Sequence, residues 1–251
     1  MILRLLILFQ LLSLNAFASA QAHVGDTECP AVVLVEYDPW RMVIGSDNPT
    51  FALYPDRHAI FRSDEGYKQV DLTAGEYNQI IKAASQLKSL NNRYDLTRAT
   101  DQVTHLFTFC ASGKMTFVYV YGSLTDDTFR RIAPPDAIAD LYDMISNFTH
   151  ETSMTWLPEK IEVMVWGYDY APDASIVWPE EWPGLDHGTT VRRGEDSYSL
   201  FVDSTDFDLL KIFLASQNPK GAIEINGKKW AASLRYPFPN ERSWMAGPQE
   251  E

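Results

Sequence analysis

Residues 176–190 read IVWPEEWPGLDHGTT and gather side chains able to grip a ligand. Trp178 and Trp182 stand four apart, each followed by proline, with Glu180 and Glu181 between them and Asp186 beyond. Tyr168 and Tyr170 lie just upstream. Pro172, Pro179 and Pro183 restrict the backbone, so little entropy is left to lose on binding. Indole faces held this way could stack on sugar rings or anchor a protein partner, with the carboxylates supplying polar contacts. The competing assignment folds both indoles back as lids over the core, the commoner fate of large aromatics. The sequence therefore reads as a stiff loop first and a recognition surface second.

Catalytic constellations fail one by one. There is no Gly-x-Ser-x-Gly turn, no phosphate loop, no Gly-x-Gly-x-x-Gly and no His-Glu-x-x-His, which removes the nucleotide and zincin chemistries those motifs carry. The five histidines, His23, His58, His105, His150 and His187, are scattered without a spacing that pairs any two. Asp203, Asp206 and Asp208 cluster where a helix should begin, a place where carboxylates cap free amides. They lack the twelve-residue loop, glycine and closing glutamate of a calcium site. A glycosidase needs two carboxyl groups at a fixed separation, and the sequence singles out no pair. No catalytic residue, metal or cofactor is expected.

The two cysteines, Cys29 and Cys110, border apolar strand-like runs. In an oxidising compartment they are expected to be joined; two buried free thiols are the alternative, and no Cys-x-x-Cys supports a metal role.

Positioning falls to hairpins separated by helices. Residues 31–37 form a β-branched run stopped at Asp38-Pro39, and 51–54 and 59–62 flank a proline-containing turn. Thr73 stands three residues before Glu76, a capping box that predicts a helix over 74–90. A second hairpin is expected across Ala111-Ser112-Gly113-Lys114, and a helix from Pro134-Pro135-Asp136. A third helix should follow Ser204-Thr205-Asp206, and a final hairpin should close through Asn226-Gly227. This pattern predicts an α+β fold with a mostly antiparallel sheet and about three helices. Residues 21–251 should form a single domain, or two subdomains meeting near 150–160.

Residues 51–81, FALYPDRHAIFRSDEGYKQVDLTAGEYNQII, resemble a segment of secreted bacterial proteins and lipoproteins to which no activity is assigned. Shared are an apolar strand, a Tyr-x-Asp-Gly-Arg turn, an Ile-aromatic-Arg strand and a capped helix. Arg57-His58 replaces the Gly-Arg of that turn. The ending Leu234-Arg235-Tyr236-Pro237-Phe238-Pro239 is similar to the Arg-Pro-Leu-Leu-Pro of some members. The resemblance implies a bacterial envelope setting and carries over no functional residue.

Residues 1–20, MILRLLILFQLLSLNAFASA, read as a cleavable secretory signal: one arginine, an apolar centre and Ala18-Ser19-Ala20 at the end. The first cysteine is not preceded by a small-residue lipobox, so lipid anchoring is not expected. Asn147-Phe148-Thr149 would be a glycosylation acceptor only in a eukaryotic secretory route. With 34 acidic against 21 basic residues the formal net charge is −13. Such a field repels nucleic acid and anionic membranes and draws in cationic partners. These properties converge on a secreted, most naturally periplasmic, non-catalytic binding protein, its sharper form an immunity-type or inhibitor protein for a cationic toxin or enzyme. The alternatives are a saccharide-binding module or cell-wall hydrolase using Trp178 and Trp182, and a structural envelope protein.

Overall fold

The structure, a computed structural model, describes residues 29–245; the expected leader over 1–20 and His23 lie outside them. Local chemistry sets most turns. Strands β1 (Val32–Tyr37), β2 (Pro49–Leu53) and β3 (His58–Ser63) are followed by β4 (Gly66–Asp71). Helix α1 (Ala74–Ala84) opens on a complete capping box, in which Thr73 N donates to Glu76 Oε2 at 2.8 Å and Glu76 N donates back to Thr73 Oγ1 at 3.3 Å. The α-helix is shorter than expected: Ser85–Ser89 is a 3-10 turn. Ser85 Oγ donates to Lys82 O at 2.7 Å and Ser89 Oγ to Gln86 O at 2.8 Å, local bonds of the kind that compete with a helical ladder.

Next come β5 (Arg93–Asp95), β6 (Thr104–Ala111) and β7 (Lys114–Tyr121). Ser112 and Gly113 join β6 to β7 at φ 53° and 75°, the two left-handed positions that a tight hairpin turn requires. Helix α2 (Asp136–Ile145) follows, and β8 (Met154–Thr155) completes the first sheet, whose order is β5-β7-β6-β1-β2-β3-β4-β8. The second sheet uses β9 (Lys160–Gly167), β10 (Ile176–Val177), β11 (Val191–Gly194), β12 (Ser197–Asp203), β13 (Ile223–Ile225) and β14 (Lys228–Arg235) in the order β10-β13-β14-β9-β12-β11. Helix α3 (Phe207–Ala215) links β12 to the β13–β14 hairpin, and α4 (Arg242–Met245) ends the described chain. All pairings are antiparallel except β5–β7 and β10–β13. The fold is α+β, and the change from one sheet to the other falls between β8 and β9.

The aspartates at the start of α3 do not cap it through their side chains, contrary to expectation, although Asp208 lies in its first turn. A 3-10 turn, Ser204–Asp206, intervenes, and neither Asp203 nor Asp206 makes a side-chain cap bond. Asp203 instead takes Lys160 Nζ at 3.1 Å and Asp208 takes Lys211 Nζ at 2.8 Å.

Each sheet buries one face under helices. Leu34, Phe51, Leu53, Phe61 and Phe107 meet Ile80 of α1 and Ile138, Leu141 and Ile145 of α2. In the second sheet Ile161, Val163, Val165, Leu200 and Val202 meet Leu210 of α3. The other face of the first sheet, through Val33, Val35, Ala52, Tyr54 and Ile60, receives Trp156, Phe238 and Trp244. The chain therefore returns from the second sheet to cover the first. Cys29 and Cys110 form a disulfide with Cα atoms 6.3 Å apart, tying the segment before β1 to β6. In the chain-entropy picture, closing that long loop contributes on the order of 4 kcal/mol.

A buried ionic cluster holds the returning segment. Glu162 Oε2 accepts from Arg235 Nη1 at 2.6 Å, and Arg235 Nη2 reaches Glu241 Oε2 at 2.7 Å. Arg193 Nη2 and Ser199 Oγ both approach Glu162 Oε1 at 2.5 Å. Burial opposes the charge on Glu162, but Arg235, Ser199 and Arg193 outweigh it and lower the carboxyl pKa. For Glu241 burial wins and the pKa is raised despite Arg235. Tyr236 N donates to Asn48 Oδ1 at 2.6 Å, which fastens the same segment to the loop before β2.

Candidate docking surface

The loop over 38–48, DPWRMVIGSDN, joins β1 to β2 and is closed on itself. Asp47 is buried, and its Oδ1 accepts from Asp38 N at 3.1 Å and Arg41 Nε at 3.0 Å. Trp40 N donates to Asp38 Oδ1 at 2.9 Å, and Ser46 Oγ to Val43 O at 2.7 Å. Gly45 turns the chain at φ 83°, with its Cβ direction 3.8 Å from Met164 Cε. Val43, 2% exposed, is the anchor: it packs on Met164 and Ala231, on the face of the second sheet opposite α3, and on Tyr168 just past β9. Its apolar neighbours stay accessible. Trp40, Met42 and Ile44 are 75%, 53% and 71% exposed. Three large apolar side chains are thus held in water by a loop whose base is pinned.

One of the expected site residues joins this loop, and a second stands beside it. Tyr168 packs with Val43, and Tyr170, 80% exposed, stands edge-on to Tyr168 with ring centroids 5.0 Å apart. Trp166 lies two residues beyond Met164 on β9, hence on the same sheet face by strand alternation, and is partly exposed.

The remaining expected residues lie elsewhere. Trp178 and Trp182 are buried in the core beneath α3 and form an edge-to-face trio with Phe213, with centroids 5.2, 5.6 and 5.5 Å apart. Trp178 Nε1 donates to Pro183 O at 3.2 Å, so the polar edge of that indole is satisfied within its own loop. Neither indole offers a free face to a sugar ring. Glu180, Glu181 and Asp186 are exposed, and Asp186 accepts from Asn226 Nδ2 at 3.0 Å. The structure therefore separates the tyrosines from the tryptophans. Sequence reading missed Trp40, Met42 and Ile44, although a signal exists: bulky apolar residues at alternate positions between Asp38-Pro39 and Gly45-Ser46-Asp47-Asn48.

One titratable cluster could be taken for catalytic machinery. Glu36 sits among Thr50, Arg62, His105 and Tyr142. Its Oε2 accepts from Thr50 Oγ1 at 2.6 Å and Arg62 Nη2 at 3.0 Å, and its Oε1 from Tyr142 OH at 3.0 Å. His105 Nδ1 is 3.4 Å from Oε1, too long for a well-formed bond. Burial works against ionisation, yet His105, Thr50 and Tyr142 together bring the Glu36 carboxyl down to about 2. A carboxylate so acidic is a poor general base near neutrality, and its oxygens are occupied. Its role is to lock β1, β2, β3 and α2 together. Because the folded value is depressed, this stabilisation is present above the ordinary carboxyl pKa of about 4.3 and fades as pH falls toward 2. Glu36→Gln is expected to cost roughly 1–3 kcal/mol at pH 7, with the gap from the parent protein shrinking by pH 3 in urea titrations. A pH-independent gap would show that charge plays no part.

Among the described residues no group of three His, Cys, Asp or Glu side chains could hold a metal, and no helix is long and apolar enough to cross a membrane. No protein-family model, curated protein or solved structure matches this chain.

Proposed function

We propose that this chain is a secreted, periplasmic, non-catalytic binding protein that docks a cationic protein partner through Trp40, Met42, Ile44 and Tyr170, acting as an immunity-type or inhibitor protein. The observation that carries the reading is the pinned loop: its apolar side chains are kept in water while Val43 alone is packed. Exposed apolar groups on a rigid base suit an interface centre, because little order remains to be imposed on binding. The chain's net charge of −13 suits steering of a basic partner.

The test begins with a cationic protein captured from a periplasmic or secreted fraction and then purified. Trp40→Ala and Met42→Ser should each weaken its binding by about thirtyfold or more, as expected of interface anchors, while the melting temperature stays unchanged. Reversing Glu180 and Glu181 should slow association and reduce its salt dependence without changing dissociation. Unaltered affinity in both loop variants, with folding intact, would remove the loop from the interface.

A further inference from the structure

A cleft of about 500 Å³ opens at the end of the first sheet, far in sequence from the docking loop, and is lined by Arg93, Asp95, Arg98, Tyr121, Arg131 and Ile132, with Thr97 at its wall. Backbone pairing builds it. Strand β5 runs parallel to the end of β7, placing Asp95 opposite Tyr121. Leu96 N then donates to Tyr121 O at 2.9 Å, and Arg131 N donates to Leu96 O at 2.7 Å, which stitches the later loop over the same edge. Tyr94 and Leu96 turn toward the helix-covered core. By alternation Arg93, Asp95 and Thr97 turn to the opposite side. Tyr121 is fixed by its hydroxyl, which donates to Ala99 O at 2.8 Å.

The charges make this cleft unusual for its chain. With 34 acidic and 21 basic residues, carboxylates are available to pair with every arginine. Arg93 has such a partner, its Nε lying 3.0 Å from Asp95 Oδ1. Arg98 and Arg131 have no carboxylate within ion-pair distance among the described residues, although both line the same space as Arg93 and Asp95. Three guanidiniums against one carboxylate leave a local excess of two positive charges. Guanidinium forks match the oxygens of carboxylate and phosphate groups. The volume falls within the range of small-ligand sites, roughly 300–1,000 Å³, larger than a bare inorganic ion needs. Tyr121 and Ile132 add an aromatic and an aliphatic wall.

We propose that this cleft binds a small organic dianion, a phosphomonoester or a dicarboxylate with an apolar body, its charge held by Arg98 and Arg131 and its body laid against Tyr121 and Ile132. Asp95 acts as a restraint, competing with the ligand for Arg93. This inference stands apart from protein docking at Trp40 and does not depend on it.

Phenyl phosphate and phthalate are suitable probes, since both join two negative charges to an aromatic body, and benzyl alcohol supplies the uncharged control. Calorimetric titration of the full chain should show binding of at least one dianion at submillimolar concentration and none of the alcohol. The tighter of the two assigns the head group. Arg98→Gln with Arg131→Gln should weaken that binding by roughly tenfold or more, as loss of charge-assisted bonds demands. Asp95→Asn should tighten it by freeing Arg93, an effect that a merely structural carboxylate would not produce. All three side chains are exposed, and unchanged melting temperatures will show that the variants fold. The proposal is overturned if neither dianion binds at millimolar concentration, if benzyl alcohol binds as well as they do, or if the double variant retains the parent affinity.

Discussion

Arg235→Ala is expected to destabilise the protein by about 3–5 kcal/mol, the cost of leaving a buried ion pair without one partner. Arg235 is 3% exposed and bridges Glu162, 1% exposed, to Glu241. Arg193 still reaches Glu162 in the variant, which keeps the loss finite, but Glu241 has no second cation in contact among the described residues. The consequence extends beyond one sheet. Glu241 belongs to the segment that carries Phe238 and Trp244 back onto the first sheet, so weakening the bridge loosens that cover. The pH dependence has a definite sign. In the parent, Arg235 helps to lower the Glu162 pKa and holds down that of Glu241, which burial already raises; in the variant that help is lost and both pKa values rise. A raised carboxyl pKa penalises the folded state above it and relaxes on protonation. The gap between variant and parent should therefore narrow as pH falls below about 5. Urea titrations at pH 7 and pH 4 check both statements. Arg235→Lys should fall between the two proteins, since lysine keeps the charge and loses the fork.

Trp178→Ala and Trp182→Ala should each cost about 3–5 kcal/mol, as large-to-small changes do in a packed core. Both indoles contact Phe213 as well as each other. Their losses should not add, because the first substitution already breaks part of the second residue's packing. Glu180→Ala and Glu181→Ala, on exposed side chains of the same turn, should stay within about 0.5 kcal/mol of the parent. Chemical unfolding of the four variants and the Trp178/Trp182 double variant measures all of this. If either single tryptophan variant is as stable as the parent, the lid assignment fails.

The elements legible in the sequence are those fixed by local chemistry. Asn226 and Gly227 adopt φ 52° and 72°, as a two-residue hairpin demands, and Thr73 with Glu76 starts α1. Where a residue's role depends on distant neighbours, the sequence is ambiguous. Strand β9, at the centre of the second sheet, has no clear alternation because Met164 and Trp166 are apolar on the face opposite Ile161, Val163 and Val165. For Trp178 and Trp182, flanking prolines stiffen the loop equally whether the indoles face water or core; only α3, supplying Phe213, decides between them. The loop over 38–48 is a similar case. Val43, Met42 and Ile44 look alike in composition, yet contact with Met164 and Ala231 buries just the first. Arginines 93, 98 and 131 meet through the parallel β5–β7 pairing, a long-range contact that spacing does not show.

Docking through the 38–48 loop is tested most directly by its position in a complex. A benzophenone side chain placed at Ile44, or in a separate preparation at Glu181, is irradiated with the purified cationic partner bound. Covalent adducts are expected from position 44 and not from position 181, and excess unlabelled parent protein should suppress them. Adducts from position 181 with none from position 44 would place the partner on the tryptophan–proline turn and contradict the proposed surface.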